Sequence, residues 1–176
     1  DQEKLMRLVF WMMRYCHDEF VRFLPKVATT YVSNFEQVDA KKANAILTEI
    51  AEFGIDLHNI DHIIFPPVLS WILLHAKEDI KAILNSLKRI VIYSQSFKMA
   101  SQIIMTMIHL REANEQIGVP ALQVILAVAV YFGQPILLFV PHITLVFKNE
   151  DDKLFKHWIL GLSTGTPIDK SKFSDY

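Results

Sequence analysis

Three side chains able to ligate a metal stand close together in this 176-residue chain: His58, Asp61 and His62. Their spacing of i, i+3 and i+4 places all three on one face of a helix, where two imidazoles and a carboxylate can hold a divalent ion. A plainer reading of the same residues has Asp56 or Asp61 capping a helix start, with both histidines half exposed. The plainer reading is carried forward, with the metal site kept as the alternative. Cys16 is the single cysteine. A nucleophilic thiol needs a thiolate-favouring setting and a base. His17 is adjacent in sequence, but neighbours on a helix do not face each other. Cys16 falls on an apolar stripe, so an inert, buried thiol is expected.

The His58/Asp61/His62 cluster resembles the ligand sets of hemerythrin-like di-iron helices, which implies an iron carrier or enzyme. The chain departs from that pattern in having no Glu-x-x-His motif and no second histidine spacing to match. His17-Asp18 is similar to the dipeptide of HD-type metal phosphohydrolases, yet no histidine precedes it and that family requires one upstream. Ser/His/Asp catalysis and a Gly-rich phosphate loop are not expected either. With no convergent polar site, the chain is expected to be non-enzymatic and to carry no cofactor.

Composition narrows the partners. Lys and Arg number 18 against 19 Asp and Glu, and the only adjacent basic pairs are Lys41-Lys42 and Lys88-Arg89. A nucleic-acid surface calls for a basic stripe, so nucleic acid is not an expected partner. One cysteine rules out a disulfide scaffold and is compatible with a reducing compartment, so an intracellular location, cytoplasmic or nuclear, is expected. Hydrophobic residues make up 52%, enough for a sizeable single core.

Helical periodicity organises most of the length. Over 3–24, Leu5, Leu8, Val9, Met12, Cys16, Phe20 and Phe23 form an inward stripe. Phe10, Trp11 and Met13 widen it beyond what one core face needs and mark an expected interaction surface. A short helix is expected within 26–37, and Asp39 caps the next, with Ala43, Ile46, Leu47, Ile50 and Ala51 inward. Pro66-Pro67 is read as opening a helix from Val68 to Ala76. After Glu78-Asp79 comes the best amphipathic pattern: Ile80, Ile83, Leu84, Leu87 and Val91 inward, Lys81, Asn85, Lys88 and Arg89 outward. Met99, Ile103, Met107 and Leu110 mark the inner face of a further helix.

Gly118 to Phe147 holds no Asp, Glu, Lys or Arg, in two blocks that open Gly-Val-Pro and Gly-Gln-Pro and close on Phe132 and Phe147. Proline after a glycine break is a helix-start signal, so an apolar central hairpin is expected over 119–147. Thirty uncharged residues exceed the roughly 20 that span a bilayer. Pro120, Gly133, Pro135 and Pro141 cut them into core-length pieces, so a membrane is not an expected partner. Conditional insertion, as in colicin-like pore formers, which such a hairpin resembles, is the remaining membrane alternative. Asn149 to Asp152 is read as a cap with first-turn carboxylates before a last helix carrying Leu154, Phe155, Trp158, Ile159 and Leu162. Residues 1–162 form one expected domain, and 163–176 a polar, loosely ordered tail.

Helix starts near Asp39, Glu78 and Val119 recur about every 40 residues with a second helix in each interval. That cadence resembles the HEAT and armadillo helix-pair repeats, whose pairs bury their apolar faces by stacking. A compact bundle accounts for the same stripes. The expected fold is all-α, of about eight helices, and the expected function is a protein-interaction or self-association scaffold, part of a larger protein or assembly.

Overall fold

The structure, a computed structural model, describes residues 22–53, 60–94 and 98–165, together with Lys4, Leu8, Val9, Trp11, Met12 and Tyr15. Among the described residues the protein is all-α, with eight α-helices bounded by named ends and no strand. They are α1 (Leu24–Val32), α2 (Ala40–Phe53), α3 (Asp61–Leu74), α4 (Lys81–Ser94), α5 (Ala100–Ala113), α6 (Gly118–Phe132), α7 (Val140–Val146) and α8 (Lys153–Thr164). Short 3₁₀ turns cover Phe35–Gln37, Glu115–Ile117 and Gln134–Leu138. The six described residues ahead of Arg22 are also helical.

Local chemistry explains most of these boundaries. Pro25 sits in the first turn of α1, where its missing N–H leaves no bond unmade. Thr29 and Thr30, β-branched and at first sight strand-like, keep to the helix by donating their hydroxyls to Pro25 O and Lys26 O at 2.8 and 2.9 Å. Asp39 caps α2 as expected, its Oδ1 accepting the Lys42 N–H at 2.8 Å.

Pro66 and Pro67 do not open a helix; they lie inside α3. Each removes an N–H that would bond four residues back, and an interior proline costs about 3 kcal/mol. The offset is burial. Ile64, Phe65, Val68, Leu69, Trp71 and Ile72 are all enclosed, and each such side chain contributes roughly 1.5–3 kcal/mol.

Alternate helices pack into two rows. α1, α3, α5 and α7 follow one another in the first, α2, α4 and α6 in the second, and α5 joins the rows through α6. The members of the second row start at Ala40, Lys81 and Gly118. α6 is the centre of the molecule: Ala121, Leu122, Val124, Ile125, Leu126 and Ala127 are fully enclosed between α4 and α5. A polar node pins α2 to α4, where Ser86 Oγ donates to Asn44 Oδ1 at 3.0 Å and lies 3.2 Å from Thr48 Oγ1.

The two halves of the uncharged run behave differently. The first is one unbroken helix, α6. The second turns at Gly133, whose φ of 64° suits glycine, and passes through a 3₁₀ turn before the two turns of α7. Ile136, Ile143 and Phe147 bury themselves, while Leu137, Leu138 and Leu145 stay exposed. Pro135 and Pro141 shorten the segment, so it lies over α5 with one face only. By length and composition Glu115–Phe132 is the one described helix apolar enough to cross a membrane, and just over half of it is buried in the protein.

At the far end, Asp152 and not Asn149 is the N-cap, accepting the Phe155 N–H at 2.9 Å. α8 runs to Thr164, two residues past its expected end, and Gly165 closes it in the left-handed conformation at φ 71°. Residues 166–176, most of the expected tail, lie outside the described residues.

Candidate functional site

The metal-ligand candidates are brought together only in part. His58 lies outside the described residues. Asp61 opens α3 and is fully buried; its Oδ1 accepts the His62 N–H at 2.7 Å. The His62 ring is exposed, with Nδ1 3.5 Å from the same oxygen. Asp61 therefore acts as a start-of-helix acceptor turned into the body. Among the described residues no three His, Cys, Asp or Glu side chains gather as a metal would require. Cys16, His17 and Asp18 are outside the described residues.

One string in the sequence has the spelling of a motif of Ser/His/Asp catalysis, which is not expected of this chain. Gly161-Leu162-Ser163-Thr164-Gly165 spells G-x-S-x-G. A nucleophile elbow needs a strand running into a helix through a sharp turn. Here the string forms the last turn of α8, Thr164 Oγ1 bonding back to Leu160 O at 3.2 Å, and no strand exists among the described residues. The strand-to-helix turn of a nucleophile elbow is therefore not formed by this segment.

The interaction candidates fare differently. Phe10 and Met13 lie outside the described residues, but Trp11 is described and is 54% exposed. It leans on Tyr15, ring centroids 4.9 Å apart at 45°. Leu8, Trp11 and Tyr15 recur at three and four residues, and all are exposed, whereas Val9 packs on the core. Leu8 was expected inward with Val9 and Met12. The inward face lies on the Val9 side, and the apolar residues beside it are left over. A second exposed apolar run covers the last member of the first row and the 3₁₀ turn before it. Leu138 (85% exposed) ends that turn, and Pro141 and Leu145 (65%) follow on α7, exposed where Ile143 is buried. His142, at the edge of that stripe, holds Nε2 3.9 Å from Glu112 Oε1.

A polar inclusion joins α5, the start of α6 and the turn before α8. Arg111 of α5 donates from Nε to Glu150 Oε1 at 2.7 Å, each side chain only 13% exposed. That carboxylate rests on the start of α6 at Gly118, where a helix favours negative charge. Lys88, expected on the solvent side of α4, is 3% exposed. Its Nζ lies 3.5 Å from Gln123 Oε1 of α6. Burial pushes the Lys88 ammonium below the usual lysine range, and the negative charge of Asp152 pulls it partly back.

The sign of the pH effect follows. With its folded pKa lowered, Lys88 binds a proton more readily in the unfolded chain, so folding is penalised at pH below the folded value. The penalty lifts as pH rises toward the free-lysine value near 10.4. In urea titrations at rising pH, up to the free-lysine value near 10.4, wild type is expected to gain stability relative to Lys88→Met, which has no such group. Parallel pH curves for the two proteins would refute the assignment.

The arrangement as a whole defines an all-α protein with a closed core, two exposed apolar stripes and a charged inclusion. No family model matches the chain, and no curated protein or solved structure matches it.

Proposed function

We propose that this protein is a non-enzymatic scaffold whose helices stack in pairs, in the manner of HEAT and armadillo repeats, and which binds a protein partner or a second copy of itself through apolar surface. The observation that carries the reading is the pair of exposed stripes, Leu8/Trp11/Tyr15 and Leu138/Pro141/Leu145. Single exposed hydrophobics are ordinary, but contiguous ones mark interaction surfaces. Aromatic residues such as Trp11 and Tyr15 are favoured there because a rigid ring buries much area for little lost freedom.

The two-row alternation supports the stacking. In a helix-pair array each row runs through every second helix, and partners bind along the surface that the rows create. Helix starts at Ala40, Lys81 and Gly118 keep close to the 40-residue cadence.

Trp11→Ala is the test. More than half exposed, this side chain holds little of the fold, so the variant is expected to keep its wild-type stability within about 0.5 kcal/mol. Its self-association or its capture of a co-purifying protein is expected to fall at least tenfold, a hot-spot loss of about 1.4 kcal/mol or more. A folded variant with unchanged association and unchanged capture removes Trp11 from the surface.

A further inference from the structure

The first row of helices ends on α7, and it ends in an apolar face. Stacked helical arrays keep their terminal members soluble with a polar outer face, because the last unit has no neighbour to cover it. α7 departs from that rule. It buries Ile143 and leaves Pro141 and Leu145 outside, with Leu137 and Leu138 exposed on the 3₁₀ turn before it. Leu138 is the most exposed large hydrophobic side chain among the described residues.

Charge decides what can cover this face. Gly133 to Phe147 holds no Asp, Glu, Lys or Arg, and His142 is its single titratable side chain. One exposed charge of each sign flanks the run. Glu112 of α5 lies 3.9 Å from His142, and Lys148 follows directly after Phe147. An anionic lipid surface is repelled by Glu112 as it is attracted by Lys148. A second copy of the same face sets leucine on leucine and brings both signs to the rim, so no like charges need be forced together.

We infer that the α7 face is a two-fold contact between two copies of this chain, α7 packing antiparallel on α7 so that each copy covers the open end of the other's row. About a two-fold axis passing Pro141, Leu138 of one copy meets Leu145 of the other, since they lie three and four residues to either side of it. The contact closes at two copies, whereas pairing with a different face would build an open chain. Four apolar side chains are few beside the roughly 20–30 residues a side of a standard interface, so the dimer is weak, with a Kd on the order of micromolar. The inference rests on the scaffold reading in taking this run as an interaction surface, and it leaves the Trp11 stripe free for a different protein.

Sedimentation velocity of the whole chain over a concentration series is the test. Leu138→Glu and Leu145→Lys are each expected to weaken the dimer about tenfold or more, because each sets a charge against a leucine. The double variant Leu138→Glu/Leu145→Lys places a carboxylate against an ammonium in both halves of the contact. It is expected to return to within about threefold of the wild-type Kd. Both positions are largely exposed, so all three variants keep the wild-type thermal midpoint. Trp11→Ala is expected to leave the dimer unchanged. Failure of the double variant to recover overturns the two-fold pairing, and loss of the dimer in Trp11→Ala overturns it in favour of an open chain. A wild type that stays monomeric up to millimolar concentration overturns the contact outright. If such a monomer still captures a protein in a Leu138-dependent way, the scaffold reading survives alone. If it binds only phosphatidylserine vesicles, or nothing, that reading of the α7 run falls as well.

Discussion

Replacing Trp71 with alanine is expected to lower the unfolding free energy by about 3–5 kcal/mol, the usual range for removing a large aromatic side chain from a core. Trp71 has no exposure at all. Its indole Nε1–H donates to Val38 O at 2.9 Å, tying α3 to the segment that leads into α2. Its ring stacks on His75, centroids 3.9 Å apart at 13°, and meets Phe35 edge-on at 6.2 Å. Alanine would leave a void beside two aromatic rings and a part-buried carbonyl without its donor. For a domain whose total stability is on the order of 5–15 kcal/mol, that is about a fifth of the margin or more. Urea denaturation followed by circular dichroism is the check. A shift under about 1 kcal/mol would mean that the α3 core is not packed as described. Trp71→Phe, which keeps one ring but loses the second ring and the indole donor, is expected to recover part of the loss.

The second large effect comes from the smallest residue. Gly118 has a φ of −54°, open to any amino acid, so its requirement is not conformational. It is steric: a Cβ there would overlap Glu150 Oε1 outright and stand 2.8 Å from Arg111 Nε. Gly118→Ala therefore has to push the carboxylate out of its ion pair, leaving a largely buried guanidinium unmatched. Breaking a buried pair costs about 3–5 kcal/mol, and with both groups slightly exposed about 2–3 kcal/mol is expected here. Where Glu150 is already alanine, the same Gly118→Ala change is expected to cost much less, since the carboxylate is gone and the Arg111 guanidinium, released from its pair, can shift away from its 2.8 Å approach. The cycle therefore predicts non-additivity above about 1 kcal/mol. Additive losses would mean that Gly118 and Glu150 act separately.

Much of the helical order was legible in the sequence because it rests on local chemistry. The Asp39 cap, the Ala43-to-Ala51 stripe and the Ile80-to-Val91 stripe are set by side chains within a turn or two of each other. What could not be read there was decided at long range. Lys88 shares its helix side with Leu84 and Val91, and only the fold brings Gln123 and Asp152 to it. Pro66-Pro67 looked like a boundary because the loss of two N–H groups is a local fact, while the burial of Phe65 and Trp71 that outweighs it is a tertiary one. The uncharged run was uniform in composition, yet only α6 is enclosed, since the prolines of the second half break it into pieces too short to wrap on both sides.

The candidate site was less legible than the fold. Excess apolar width on the first helix pointed to Trp11, and Trp11 is exposed, but periodicity alone put Leu8 on the wrong side of that helix. The α7 stripe gave no signal at all. In a segment that is apolar throughout, the residues facing outward cannot be told from those facing in until a neighbour covers one side.

The central claim is that exposed apolar surface, and not a reactive centre, is what this protein works with. Its most direct test is sedimentation velocity of wild type and of the triple variant Trp11→Ala/Leu138→Glu/Leu145→Glu, with quantitative mass spectrometry of co-purifying proteins. Wild type is expected to show a concentration-dependent rise in sedimentation coefficient or an enriched co-purifying partner, and the variant, at an unchanged thermal midpoint, is expected to lose it. Identical sedimentation and an identical co-purifying set in the two proteins would contradict the account.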